Sequence, residues 1–174
     1  MHKWYLDARV LSWMGDAPLS LASRRRRYEK PADDDDVFRF VICLLDGGEP
    51  IGRIDLFDID RHNGGAEFGV TIGDPALWGR GYGTDAVNAL VDFAFGHLRL
   101  ERVCLGTLPT NLRAQTAYTK AGFREEGRLR HAFFQDGQYV DDVRMSLLRD
   151  EWQALPRRKS WQLVDDAVRA AGGS

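Results

Sequence analysis

The chain predicts a mixed α/β (α+β) fold, a central sheet of antiparallel and parallel strands with flanking helices. Three observations carry this. Two hairpin signals, Asp46-Gly47-Gly48-Glu49 and Gln135-Asp136-Gly137-Gln138, lie near either end of the strand-rich region. Between them a strand–helix–strand pattern runs from Ala66 to Thr107, which calls for a right-handed crossover joining parallel strands. The 174 residues, 44% hydrophobic and 29% charged, suffice for one domain with a real core.

The elements follow in order. Leu6, Val10 and Trp13/Met14 recur at helical spacing, so the first fifteen residues predict an amphipathic helix. Pro18-Leu19-Ser20 offers a turn and an N-cap for a second helix carrying Arg24 to Arg27. Pro31 to Asp36 is a charged loop. Val37 to Leu45 and Ile51 to Ile59 are β-branched and aromatic, the two arms of the first hairpin. After the turn at Arg61-His62-Asn63-Gly64-Gly65 comes a short strand, Ala66 to Ile72. A loop, Asp74 to Arg80, leads into a helix over Thr84 to Leu98 with Val87, Leu90, Val91 and Ala94 on one face. Arg102 to Thr107 is a strand, and Asn111 to Ala121 a helix closed by Gly122, suited to a left-handed cap. Phe123 to His131 and Tyr139 to Leu148 form the last hairpin. From Trp152 the chain becomes a tail: Pro156 and Arg157-Arg158-Lys159 make a linker, and Trp161 to Ala170 a final helix. The domain is therefore set at residues 1–152, with a helical extension over 153–174.

Composition narrows the function. A net charge of −2 removes the simplest electrostatic case for nucleic acid or a membrane surface. No apolar run approaches the ~20 residues that cross a bilayer, and the charged start is no secretory signal. Cys43 and Cys104 lie apart in apolar stretches, consistent with reduced thiols and a cytoplasmic setting. No Cys/His spacing supports a metal site. Asp33 to Asp36 nearly cancels the Arg24 to Arg27 cluster, so that cluster is taken as a solvated helix face. Cys104, between Val103 and Leu105, is expected on a buried strand and not as a nucleophile.

The chemistry concentrates in Gly79-Arg80-Gly81-Tyr82-Gly83-Thr84, between a strand and a helix. Glycines let backbone approach a ligand, and freed amides at a helix N-terminus favour a phosphate. A Walker loop fails because no lysine precedes Thr84. A dinucleotide fingerprint fails because Thr84 stands where its third glycine belongs, and Glu101 would open a strand instead of ending one. A tight turn with no ligand is the plain alternative.

Taken together, Ala66-Glu67-Phe68-Gly69-Val70, the run Leu77 to Ala86, the run Asn111 to Phe123 and Gly137 to Met145 resemble the GNAT acyltransferase superfamily. The likeness is to its branch of ribosomal-protein N-terminal and spermidine acetyltransferases. It spans about Pro50 to Trp152, extends loosely back to Val10, and does not reach the tail. Two features depart from the family: Trp78 stands where Gln or Arg usually opens the turn, and only Met1 to Trp4 could supply a first strand. A missing strand leaves a sheet edge for a second subunit or the tail to cover.

The resemblance implies a GNAT fold with a splayed parallel strand pair, acetyl-CoA as donor and an amine as acceptor: a protein N-terminus, a polyamine or another small amine. It implies a pyrophosphate on the turn formed by Gly79, Arg80, Gly81, Tyr82, Gly83 and Thr84, and a pantetheine along Val70, Thr71 and Ile72. Asn111 would hydrogen-bond the pantetheine arm, and is equally an N-cap. Tyr118 would give a proton to the leaving thiolate; otherwise it is a half-buried tyrosine. Glu67 is the candidate base for an ammonium of pKa near ~10.4, or else an exposed strand-end carboxylate. His131 is a weaker candidate base. Asp55, Asp58 and Asp60 follow along the second hairpin strand and could give an acceptor cleft a negative lining, or lie on its solvated face. The rival reading is a CoA-binding or interaction domain, dimeric and without turnover.

Overall fold

The computed structural model describes residues 4, 6–14, 20, 22–23 and 37–164. Among these residues, six strands form one sheet: β1 (Phe38–Cys43), β2 (Pro50–Asp60), β3 (Gly65–Ile72), β4 (Arg102–Thr107), β5 (Arg124–Gln135) and β6 (Gln138–Leu148), in the order β1-β2-β3-β4-β6-β5. Neighbours are antiparallel except β3 and β4, the parallel pair. That pair is joined only at its start, from Gly65 opposite Arg102 to Glu67 opposite Cys104. Beyond Glu67 the two strands part, and the gap between them opens the sheet where a ligand can enter.

Both hairpin signals sit where the sequence puts them. In the β5–β6 turn Asp136 (φ 50°) and Gly137 (φ 83°) are both left-handed, which a two-residue connection between twisted strands requires. Helix α2 (Tyr82–Gly96) crosses from β3 to β4, two residues ahead of its predicted span at each end. Its Val87, Leu90, Val91, Ala94 and Phe95 are buried against the sheet, with Leu56, Phe68, Val103, Leu105 and Val143. Helix α3 (Leu112–Lys120) ends at Gly122, whose φ of 101° gives the left-handed exit.

The ends differ from expectation. Of the predicted fifteen-residue helix, the described residues hold one α-helical turn, α1 (Ala8–Leu11), capped by the Asp7 carboxylate on the Arg9 amide. Val10 is buried as expected, but Leu6 is 72% exposed and Trp4 is buried in its stead. The segment is thus anchored at two points and not along a helical stripe, and so short a helix has little stability of its own. Past β6, α4 (Arg149–Ala154) spans three residues the sequence leaves unassigned and the start of its tail; Glu151 accepts from the Leu148 amide at 3.1 Å. Residues 160–164 are helical as expected. The Arg24–Arg27 helix, the Pro31–Asp36 loop, the strand at Met1 to Trp4 (save Trp4) and residues 165–170 of the last helix lie outside the described residues.

Candidate active site

The parting of β3 from β4 opens into a cavity of about 660 Å³. Four parts of the chain meet around it: the glycine turn with the start of α2, the free stretch of β3, the α3 face carrying Asn111 and Tyr118, and α1 with Trp13 and Met14. Among the predicted residues, Glu67, Val70, Thr71, Ile72, Gly79, Gly81, Tyr82, Gly83, Thr84, Asn111 and Tyr118 all line it. Arg80 lies in the same turn but is not part of the lining.

The turn is shaped by backbone. Gly79 and Gly81 have φ of 74° and 91°, and a Cβ on either would meet nothing within 4 Å. Conformation, not crowding, demands glycine there. Gly81 caps α2 without a side chain, and the first helical bond runs from the Asp85 amide to the Gly81 carbonyl. The amides of Tyr82, Gly83 and Thr84 therefore have no partner within the helix. Tyr82, Gly83 and Thr84 line the cavity at the positive end of a fifteen-residue helix. This donor set fits a pyrophosphate. On β3, the Ile72 carbonyl is already engaged by Trp78 Nε1 at 2.8 Å.

Asn111 is buried and caps α3, its Oδ1 accepting from the Ala114 amide at 3.3 Å. Tyr118 is 8% exposed, edge-on to Phe68 with ring centroids 5.8 Å apart. Burial pushes its phenol up to about 12, so at neutral pH the hydroxyl is protonated and able to donate.

Glu67 is not a free carboxylate. Arg144 holds both its oxygens, Nη2 to Oε2 at 2.6 Å and Nη1 to Oε1 at 3.2 Å, and also donates to Asp142 Oδ2 at 3.2 Å. Arg144 is raised further above the usual guanidinium range, chiefly by its hydrogen bond to Glu67. The remaining lone pairs of Glu67 can still accept from a water.

Of the three predicted aspartates only Asp55 lines the cavity, beside Arg53 at 3.1 Å. The β2–β3 register shifts between Phe57 and Asp60, and Asp58 has φ of 51°, so the alternation breaks. Asp60 instead caps its own turn, accepting from the His62 and Asn63 amides at 2.9 Å. His131 sits on a bulge of β5 at φ 54°, away from the cavity. Cys104 is half-buried, and burial raises its thiol above the ordinary range. Among the described residues no His/Cys/Asp/Glu group could hold a metal ion, and no helix is long and apolar enough to cross a membrane.

Sequence reasoning missed Arg144, Arg53 and Arg113 as cavity residues. Arg144 reaches Glu67 only because β6 pairs with β4 in a register that sets Arg144 opposite Gly106. A Cβ at Gly106 would come within 2.6 Å of the Asp142 carboxylate and 2.8 Å of the Arg144 guanidinium, so that glycine makes room for the network.

Comparison with known proteins gives the family and the fold. A family model described as an acetyltransferase (GNAT) domain matches residues 1–124. The spermidine N(1)-acetyltransferase of Escherichia coli (strain K12) is 34% identical over 127 residues, covering 73% of this chain and 67% of that protein. The uncharacterized N-acetyltransferase p20 of Bacillus licheniformis is 29% identical over 154 residues, 86% of each. Among solved structures, the spermidine N-acetyltransferase of Vibrio cholerae in complex with CoA and spermine superposes with a TM-score of 0.80. It is 29% identical, covering 87% of this chain and 89% of that one.

Proposed function

The chain belongs to the GNAT acetyltransferase family, and from that premise we propose that it transfers the acetyl group of acetyl-CoA to a primary amine by direct attack, with no covalent enzyme intermediate. The observation that carries this reading is a single cavity that gathers the uncapped amides of α2, the free stretch of β3, Asn111 and Tyr118.

Acetyl-CoA supplies an acyl thioester, and the protein's task is to hold it, stabilise charge and move two protons. The amides of Tyr82, Gly83 and Thr84 hold the pyrophosphate. The backbone of Val70 and its neighbours, freed from β4, pairs with the pantetheine arm, and an amide there stabilises the thioester oxygen as it gains charge. Asn111 uses Oδ1 on its own helix and has Nδ2 for the arm. Tyr118, a neutral acid kept so by burial, returns a proton to the departing sulfur. Glu67 takes the proton of the incoming ammonium through a water, since its direct contacts are with Arg144.

For the acceptor, a polyamine of the kind the named relatives act on, a protein N-terminal amine or another small amine fits the reading; Asp55 and Glu67 give it carboxylates to approach. Exposed Leu129, Phe134 and Tyr139 on the β5–β6 hairpin support a homodimer as the working unit, and the free thiols of Cys43 and Cys104 suit the cytoplasm. Residues 153–164, the described part of the C-terminal extension, are fastened to the catalytic domain through Arg157, Ser160 and Trp161.

The test is a calorimetric titration with acetyl-CoA, with NAD and ATP as controls. Thiol release is then followed with spermidine, a peptide and an amino acid in parallel. Micromolar binding of acetyl-CoA alone, with amine-dependent thiol release, is expected. No binding of acetyl-CoA overturns the reading.

A further inference from the structure

We propose that Arg113, held on the face of Trp78, is a side-chain ligand for a phosphate group of the coenzyme. The inference rests on the coenzyme reading of the cavity and adds a residue that neither the glycine turn nor the chemistry of transfer requires.

Four observations lead to it. The Arg113 guanidinium carbon lies 3.8 Å from the Trp78 ring centroid, with the Trp13 ring on the same cation at 5.9 Å. The platform is itself fixed. Trp78 Nε1 donates to the Ile72 carbonyl at 2.8 Å, and its amide donates to the Pro75 carbonyl at 3.2 Å. A stacked guanidinium is bound through its face, and its N–H groups point outward in the plane, free to fork onto two oxygens of one anion.

Second, Arg113 lines the same cavity as Gly79, Gly81 and the first turn of α2. The cavity wall around it therefore carries amide donors and a helix N-terminus as well as a cation. Third, the other arginines of the lining are matched with carboxylates, Arg53 with Asp55 and Arg144 with Glu67. Among the described residues none forms a hydrogen bond or ion pair with Arg113; its contacts are the two indoles. Fourth, Arg113 is the second residue of α3, where the helix dipole opposes a cation. Helix stability does not account for an arginine there, whereas an anion in the cavity does.

The ligand chemistry is a phosphate with two accessible oxygens. Coenzyme A carries two candidates, the pyrophosphate and the 3′-phosphate, and dephospho-CoA lacks the second. Dissociation constants for CoA and dephospho-CoA would be measured by calorimetry on the full chain, its Arg113→Ala and Arg113→Lys variants, and Trp78→Leu. Arg113→Ala is expected to weaken CoA 10- to 100-fold, with Arg113→Lys in between because it keeps the charge and loses the fork. Trp78→Leu should weaken CoA less than Arg113→Ala, by loosening the cation. Equal loss for both ligands assigns the contact to the pyrophosphate; loss for CoA alone assigns it to the 3′-phosphate. In turnover the Arg113→Ala loss falls on KM for acetyl-CoA and spares kcat at saturation, and its melting temperature stays at the parent value or above. Unchanged dissociation constants for both ligands in Arg113→Ala, beside a parent protein that binds them, overturn the inference alone. A parent that binds neither ligand overturns the coenzyme reading with it.

Discussion

Asp92 and Arg157 form a two-armed ion pair that fastens the chain after β6 onto the middle of α2, Nη2 to Oδ1 at 2.6 Å and Nη1 to Oδ2 at 2.9 Å. Asp92 is 1% exposed, a carboxylate on the buried face of a helix. Trp152 Nε1 (2.8 Å) and the Ser160 amide and hydroxyl (2.6 and 2.7 Å) complete its shell. Burial alone would raise its pKa; Arg157 and then the other donors outweigh that, and the net shift is downward. Trp161 follows onto Gly96, where a Cβ would sit 2.8 Å from the indole. The helix that presents the glycine turn at one end is thereby held in its middle and at its other end by the C-terminal segment.

Asp92→Asn is therefore expected to cost stability well beyond a surface change. It leaves Arg157 partly buried with no anionic partner, a situation worth about 3–5 kcal/mol when one member of a buried pair is removed. Thermal unfolding of the variant against the parent measures it; a melting temperature within a degree of the parent would show that the pair contributes nothing net.

The same carboxylate gives an acid limb. Its folded pKa is depressed, so its contribution is fully present above the unfolded value of about 3.9 and disappears as pH falls through the folded pKa. The stability difference between the parent and Asp92→Asn should stay constant from neutrality down to about pH 5 and narrow below about pH 4. Unfolding curves at stepped pH check this, and a gap that is flat throughout acid pH removes Asp92 as its source.

Tyr118→Phe deletes the hydroxyl and leaves the ring against Phe68. Turnover should fall by about 10²- to 10⁴-fold, the usual worth of a positioned acid, while acetyl-CoA affinity stays within a few-fold. Because the phenol is pushed up to about 12, the parent's kcat/KM should climb with pH toward the amine's own pKa without a falling alkaline limb. Unchanged turnover in the variant takes Tyr118 out of the mechanism.

Gly81→Val places a β-branched residue at φ 91° with no neighbour to strike. The penalty is backbone strain of about 1–3 kcal/mol, relieved by turning the amides of the first α2 turn off their line. Coenzyme affinity should drop, whereas Gly83→Ala, inside the helix with Ile72 3.9 Å away, should bind nearly as the parent does. Equal affinities in both variants would show that the phosphates lie elsewhere.

Much of this was legible in the sequence because it is local. Asp136-Gly137 specifies a hairpin, Asn111 a cap and Gly122 a helix exit through chemistry that needs no distant partner. What escaped depends on register or on long contacts. Asp55, Asp58 and Asp60 read alike as carboxylates of one strand, but Asp58 falls in the register shift after Phe57 and Asp60 is spent on its own turn. Glu67 looked free because Arg144 lies 77 residues away and is brought over only by the β4–β6 pairing. Asp92 carries no signal of its own in the sequence, because its partners come from the segment read as a tail. Trp78 looked like a mere departure from the family turn until its ring was seen beneath Arg113.

The Glu67–Arg144 pair yields a last prediction, since it separates a base from a scaffold. A carboxylate that takes the ammonium proton matters most when free amine is scarce, and its importance fades as pH approaches the amine's pKa, near ~10.4 for an alkylammonium. Glu67→Gln is therefore expected to lower kcat/KM by about 10²-fold near pH 7, with the deficit shrinking steadily toward pH 10. A carboxylate that only holds Arg144 in place has no reason to follow the amine's titration. In that case the loss is the same at every pH, and Arg144→Gln reproduces it with no further loss in the double variant, because the two residues then act as one unit. The pH dependence of the deficit, read from initial rates of thiol release on the parent and the three variants, decides between the two roles; a constant deficit removes Glu67 from proton transfer and leaves it as the anchor of the Arg144 network.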